Sequence, residues 1–167
     1  MDEIPESRER ATIASAVGAF LALPLIVAFV LPLTLVAGDP EAGFTPWGLL
    51  GTALGVWVLG STVREFFTQG RGTLAPWNPP RRLVTTGLFA RCRNPMYVGV
   101  VATILGHAWT FQCARVAIYG VAMWVVFHVR VCWHEEPWAA RSFPDAWPAY
   151  RARVPRWMPR RPAPGER

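Results

Sequence analysis

Three short blocks of this chain hold residue types that can bind charge and move protons. From Gly70 to Gly99 it reads GRGTLAPWNPPRRLVTTGLFARCRNPMYVG, with Arg93, Asn94, Pro95, Met96 and Tyr97 placed where a polar loop gives way to an apolar run. Glu135 and Glu136 stand together ahead of Pro137, and FPDAWPAYRARVPRWMPR follows from Phe143 to Arg160. Asn before Pro suits a helix start, Asn as N-cap and Pro at the first helical position, where a missing N–H costs nothing. The N–H groups of Met96, Tyr97 and Val98 then have no partner in their own helix and can hold a carboxylate or a phosphate. Taken alone, Glu135 and Glu136 read as acids favoured by the dipole of a short helix that follows them.

The elements that carry these blocks are set by hydropathy. Hydrophobic residues make up 52% of the 167 and charged ones 17%, and the charges cluster between long uncharged runs. No charge falls from Ala11 to Gly38, from Ala42 to Val63 or from Asn94 to Ala114, and each run reaches the ~20 apolar residues that a spanning helix needs. A fourth run, Val116 to Val129, is 14 residues long. At ~1.5 Å per residue it covers about 21 Å of a ~30 Å hydrocarbon core, so it crosses only if Val131, Cys132 and Trp133 continue the helix and Arg115 and Arg130 snorkel to opposite interfaces. The expected fold is therefore all-α: an integral membrane bundle of about four transmembrane helices with a cytoplasmic cap of helices and loops. Its parts are an N-terminal transmembrane hairpin over 1–67, a core over 68–160 and a Pro-rich, disordered tail over 161–167.

The first apolar stretch is too long, and its leader too acidic, for a cleaved signal peptide. Pro24 and Pro32 inside it predict a kinked span, since neighbouring helices can satisfy the carbonyls that proline leaves free. Every basic residue is arginine, and 16 of the 17 flank the spans on one side. The positive-inside rule then places both termini and the long middle loop in the cytoplasm, with Asp39, Glu41 and the turn from Gln112 to Arg115 outside. All three polar blocks share the cytoplasmic face of the plasma membrane. The net charge of +6 follows from this bias toward anionic headgroups, and a nucleic-acid partner is not expected.

Cys92, Cys113 and Cys132 make no CxxC pair, and the spacing of His107, His128 and His134 matches no zinc pattern, so neither disulfides nor a metal are expected. Gly48, Gly51, Gly55 and Gly60 lie along the second span, and the Gly51/Gly55 pair lets two helix backbones approach closely. Packing within the chain is favoured, although a second copy is an alternative, and the oligomeric state stays open.

The order GTxAPWxPPRRLVxxG, RNPMYxG, an apolar hairpin, EEP and RVP resembles the isoprenylcysteine carboxyl methyltransferase and phospholipid methyltransferase family over roughly Gly70 to Arg160. The resemblance implies a membrane-embedded helical methyltransferase that uses S-adenosyl-L-methionine and lacks the Rossmann sheet of soluble methyltransferases. The family's Arg-His-Pro-x-Tyr element falls on Arg93, Asn94, Pro95 and Tyr97 with Gly99 after it, its paired acids on Glu135 and Glu136, and its Arg-Val-Pro on Arg153, Val154 and Pro155. Asn94 stands where the eukaryotic form has His; an amide exchanges hydrogen bonds but is no proton-transfer group.

With that cofactor, the resemblance implies that Asn94, Pro95, Met96, Tyr97, Gly99 and Glu136 bind it, while Arg93, Arg153 and Glu135 act on the reaction. Glu136 would accept from ribose hydroxyls or the ammonium, the first N–H groups after Asn94 or an Arg would hold the carboxylate, and Tyr97 and Trp133 would face the adenine or the sulfonium. Arg93 and Arg153 would hold an anionic substrate group. The acceptor is lipophilic or lipid-attached, entering from the bilayer, and a carboxylate, an amine or a thiol are all open. Two other readings compete: a sterol-type reductase taking NADPH near Arg81 and Arg82, and a non-catalytic membrane subunit.

Overall fold

A computed structural model describes residues 23–69 and 82–158 of the chain. The regular structure among them is helical throughout, in five helices: α1 (Leu23–Ala37), α2 (Gly48–Gln69), α3 (Pro95–Thr110), α4 (Ala114–Ser142) and α5 (Ala146–Arg153), with a 3-10 turn at Gly87–Ala90 before α3. The acidic leader, the start of the first apolar run, Arg81 with most of the loop before it, and the tail from Pro159 lie outside the described residues.

Among the described residues α4 is the one helix that is both long and apolar enough to cross a membrane, at 29 residues. The short fourth run does continue through Val131, Cys132 and Trp133, and then on to Ser142. It does so by way of a π turn at Val131–Glu135, in which the N–H of Glu136 donates to the carbonyl of Val131. A second π turn, Ile26–Val30, lies in α1, where the N–H of Leu31 donates to Ile26. Each wide turn comes directly before an X-Pro pair, Leu31-Pro32 and Glu136-Pro137. A proline ring collides with the carbonyl four residues back and has no N–H to offer it; one wider turn moves that carbonyl aside and keeps the helix going. The kink expected in the first span therefore takes the form of a π turn.

Helices α2 and α3 pack antiparallel with their backbones almost touching. A Cβ on Gly55 would sit 2.4 Å from the Thr103 nitrogen, and one on Gly106 would sit 2.3 Å from the Thr52 nitrogen. The small residues of α2 thus serve a contact within the chain. Gly60, by contrast, faces open space. Buried Thr62, Thr103 and Thr110 return their hydroxyls to the carbonyls of Val58, Gly99 and Gly106 in their own helices, at 2.7, 2.8 and 2.8 Å. Those three hydroxyls are thereby satisfied inside the apolar seam, where buried His107 also meets the Thr52 hydroxyl through Nδ1 at 3.4 Å.

On its other side α3 meets α1 and α4 around Ala28, Val100, Ile104, Ala108, Cys113 and Val116. A second cluster, Ala139, Trp147, Tyr150 and Val154, joins the end of α4 to α5. Outward faces of α2 and α4 are strongly apolar, with Leu50 67% and Ile118 69% exposed, which is the surface a lipid environment covers. At one end of the bundle Cys113 Sγ donates to Asp39 Oδ2 at 3.1 Å and Arg115 Nη1 donates to the Gly38 carbonyl at 2.8 Å, tying α1 to α4. Among the described residues, Arg93, Arg130 and Arg156 gather at the other end.

Candidate active site at the arginine-rich end of the bundle

Helix α3 begins as its sequence predicts, with Pro95 in the first turn after Asn94. The cap itself differs from expectation. The Asn94 side chain makes no bond to α3; its Nδ2 donates to the Arg156 carbonyl at 3.1 Å. Val98 N–H is taken by the Asn94 carbonyl at 3.3 Å, so two of the three N–H groups expected to be open, those of Met96 and Tyr97, lack an acceptor four residues back in α3. Gly99 faces α2 rather than the end of the bundle, because a Cβ there would lie 2.7 Å from the Leu59 nitrogen.

The two acids do not cap a new helix, since the π turn carries α4 through them without a break. Glu135 accepts from Tyr97 Oη and, at 2.8 Å, from Arg130 Nε, with the same Oε1 taking both bonds. Glu136 lies deeper. Its Oε1 accepts from Arg93 Nη1 at 2.7 Å and from Arg156 Nε at 2.8 Å, and its Oε2 accepts from Arg156 Nη2 at 2.8 Å. Forked guanidinium-carboxylate pairs of this kind are strong and fix orientation as well as charge. Burial pulls the Arg93 guanidinium down from its usual range while Glu136 pulls it back up; the bond to Glu136 holds Arg156 above it.

Of the predicted residues, Arg93, Asn94, Pro95, Met96, Tyr97, Glu135 and Glu136 come together here. Arg153 does not: it is exposed on α5, and its Nε donates to the Ala149 carbonyl of the same helix at 3.3 Å. Arg156 takes the place beside Glu136. Val154, extended as residues before proline are, ends α5, so only residues past Pro155 turn back toward α3. That proline was the available signal. Trp133, expected over the ligand, is 81% exposed.

Four further groups had no mark in the sequence. The Tyr97 ring stacks on Phe127 at 4.4 Å, Arg93 lies 5.7 Å over the Trp147 ring, and Arg130 joins Glu135. Glu65, near the end of α2, accepts from the Leu88 N–H at 2.9 Å and lies against Gly87, whose φ of +57° leaves room only for glycine. That carboxylate pins the turn leading into Arg93. The cluster as a whole holds three guanidiniums against two carboxylates. Arg93 Nε is buried and has no partner among the described residues.

The sequence model of one family, phospholipid methyltransferase, matches residues 44–146. The chain belongs to the phospholipid methyltransferase family. Nothing among the curated proteins or the solved structures compared with it matches. The family match runs from just before α2 to the first residue of α5, so this membrane methyltransferase carries Arg93 to Tyr97 and both acids within the matched part. Arg153 and Arg156 lie beyond it.

Proposed function

We propose that this member of the phospholipid methyltransferase family is a membrane-embedded, S-adenosyl-L-methionine-dependent enzyme that methylates a lipophilic or lipid-attached acceptor through a carboxylate, amine or thiol. The observation that carries the reading is the convergence of the α3 start with the Glu135/Glu136 π turn at one end of the bundle. The donor set suits this cofactor. A carboxylate needs N–H donors and positive charge, which Met96, Tyr97 and Arg93 Nε, unpaired among the described residues, provide; an ammonium or a ribose diol needs an acceptor, which Glu135 offers through its second oxygen. Glu136, saturated by Arg93 and Arg156, holds those groups in place. Bound there, the cofactor supplies an electrophilic methyl group on a sulfonium.

Tyr97 and Phe127 form one aromatic wall against that charge. The chain's main task is alignment of an acceptor with the methyl carbon. A carboxylate acceptor needs no base; an amine acceptor first gives up a proton, for which Glu135 is the candidate base in place of its cofactor contact. Arg130, directly ahead of the π turn in α4, and the surplus guanidinium charge suit an anionic group on the acceptor.

The arginine-rich end faces the cytoplasm in this reading, with four crossings and both termini inside. Calorimetry on detergent-purified protein tests it: S-adenosylhomocysteine binds, and NADPH does not. Binding of NADPH instead would favour a reductase, and binding of neither would leave a non-catalytic subunit. Mass spectrometry of membranes incubated with methyl-labelled cofactor then identifies the acceptor.

A further inference from the structure

We infer that Arg156 is a positioning residue of this site, and that the segment from Val154 to Trp157 is a strap that must be closed for the site to hold its ligand. The inference rests on the cofactor reading above. Six hydrogen bonds from three parts of the fold meet on three successive residues, Pro155 to Trp157. Arg93 N–H donates to the Pro155 carbonyl at 2.9 Å, Asn94 Nδ2 to the Arg156 carbonyl at 3.1 Å, and Cys92 Sγ to the Trp157 carbonyl at 3.2 Å. Arg156 makes its forked pair with Glu136 on α4, and Trp157 Nε1 donates to His128 Nδ1 at 3.1 Å one helical segment earlier.

The strap therefore joins the residues before α3 to both sides of the π turn. It also accounts for the Asn94 side chain, which is drawn off its own helix to hold the strap. Only the forked pair is between opposite full charges, and it ends on the carboxylate that orients Arg93. Without Arg156, Glu136 keeps one guanidinium where it had two, and Arg93, already on Oε1, is free to swing toward the vacated Oε2 and away from a ligand. The family match ends at residue 146, so this part of the site is contributed by the chain beyond the matched core.

Cys92 reports on the strap without any ligand. It is 4% exposed, lies beneath the Arg156 and Trp157 carbonyls, and burial pushes its thiol up, both of which slow alkylation. In a Cys113→Ser/Cys132→Ser background, N-ethylmaleimide labelling of Cys92 and S-adenosylhomocysteine affinity are measured together for Arg156→Ala and Arg156→Lys. We expect Arg156→Ala to raise the labelling rate and the Kd each by at least tenfold, with helix content unchanged. Arg156→Lys, which keeps the charge without the fork, falls between. Unchanged labelling overturns the strap, and faster labelling at unchanged affinity overturns the positioning role. A parent protein that binds no S-adenosylhomocysteine, yet labels faster in Arg156→Ala, overturns the cofactor reading and the ligand half of this inference while the strap stands.

Discussion

Glu135 and Glu136 are adjacent in the chain and end on different partners, one with Tyr97 and Arg130, the other with Arg93 and Arg156. Neighbours on a helix point about 100° apart, and here that angle separates a half-exposed acid from a buried one. Removing the charge at the first should act on the ligand directly. Glu135→Gln is expected to weaken S-adenosylhomocysteine binding by about 10–100-fold, the ~1.5–3 kcal/mol of a charge-assisted hydrogen bond, with little change in thermal midpoint; unaltered affinity in the calorimeter would remove Glu135 from the ligand. Arg153 and Arg156 separate in the same way. Arg153→Ala should cost far less turnover than Arg156→Ala, because the first guanidinium bonds only its own helix; equal losses would return Arg153 to the site.

The π turn is what places both acids, and its cause is Pro137. Such a turn adds one residue to the helix, so relaxing it to a regular α turn would rotate Glu135 and Glu136 by about 100° relative to α3. Pro137→Ala permits that relaxation. The variant is expected to keep or raise its thermal midpoint while methyl transfer falls at least tenfold, and full activity would show that the register of the turn is unimportant. The α2–α3 seam has the opposite character, since it supports the site only by holding α3 in place. Gly55→Leu or Gly106→Leu must push two backbones apart, at a cost of ~1–3 kcal/mol or more; a normal unfolding midpoint in detergent would mean that the two helices are not packed this closely.

The molecule has two differently tied ends. Asp39, Cys113 and Arg115 join α1 to α4 at one end, and the strap closes the other. Cys92 and Tyr150, both at the closed end, are raised by burial. Below about pH 9, the ordinary value for a thiol, folded and unfolded chains both keep these protons. Above it the unfolded chain releases them first and binds fewer protons, so stability falls as pH rises. The thermal midpoint should therefore drop between pH 9 and pH 11, and Cys92→Ala should flatten the early part of that drop. A midpoint that stays constant over this interval would place the thiol in water rather than under the strap.

The apolar runs, the arginine bias, the Asn-Pro start of α3 and the paired acids were all legible in order along the chain, because each is a local property: burial demands apolar length, and proline dictates its own turn. Asn94 was read as a cap because that inference stops at the nearest helix, and Arg153 as a site residue because the family resemblance places its Arg-Val-Pro there. What Cys92, Arg93 and Asn94 touch depends on segments 43 to 65 residues away, and on a backbone reversal after Pro155 that hydropathy does not encode. Local chemistry determined which groups this protein owns; only the return of the strap against α3 and α4 decided which of them meet.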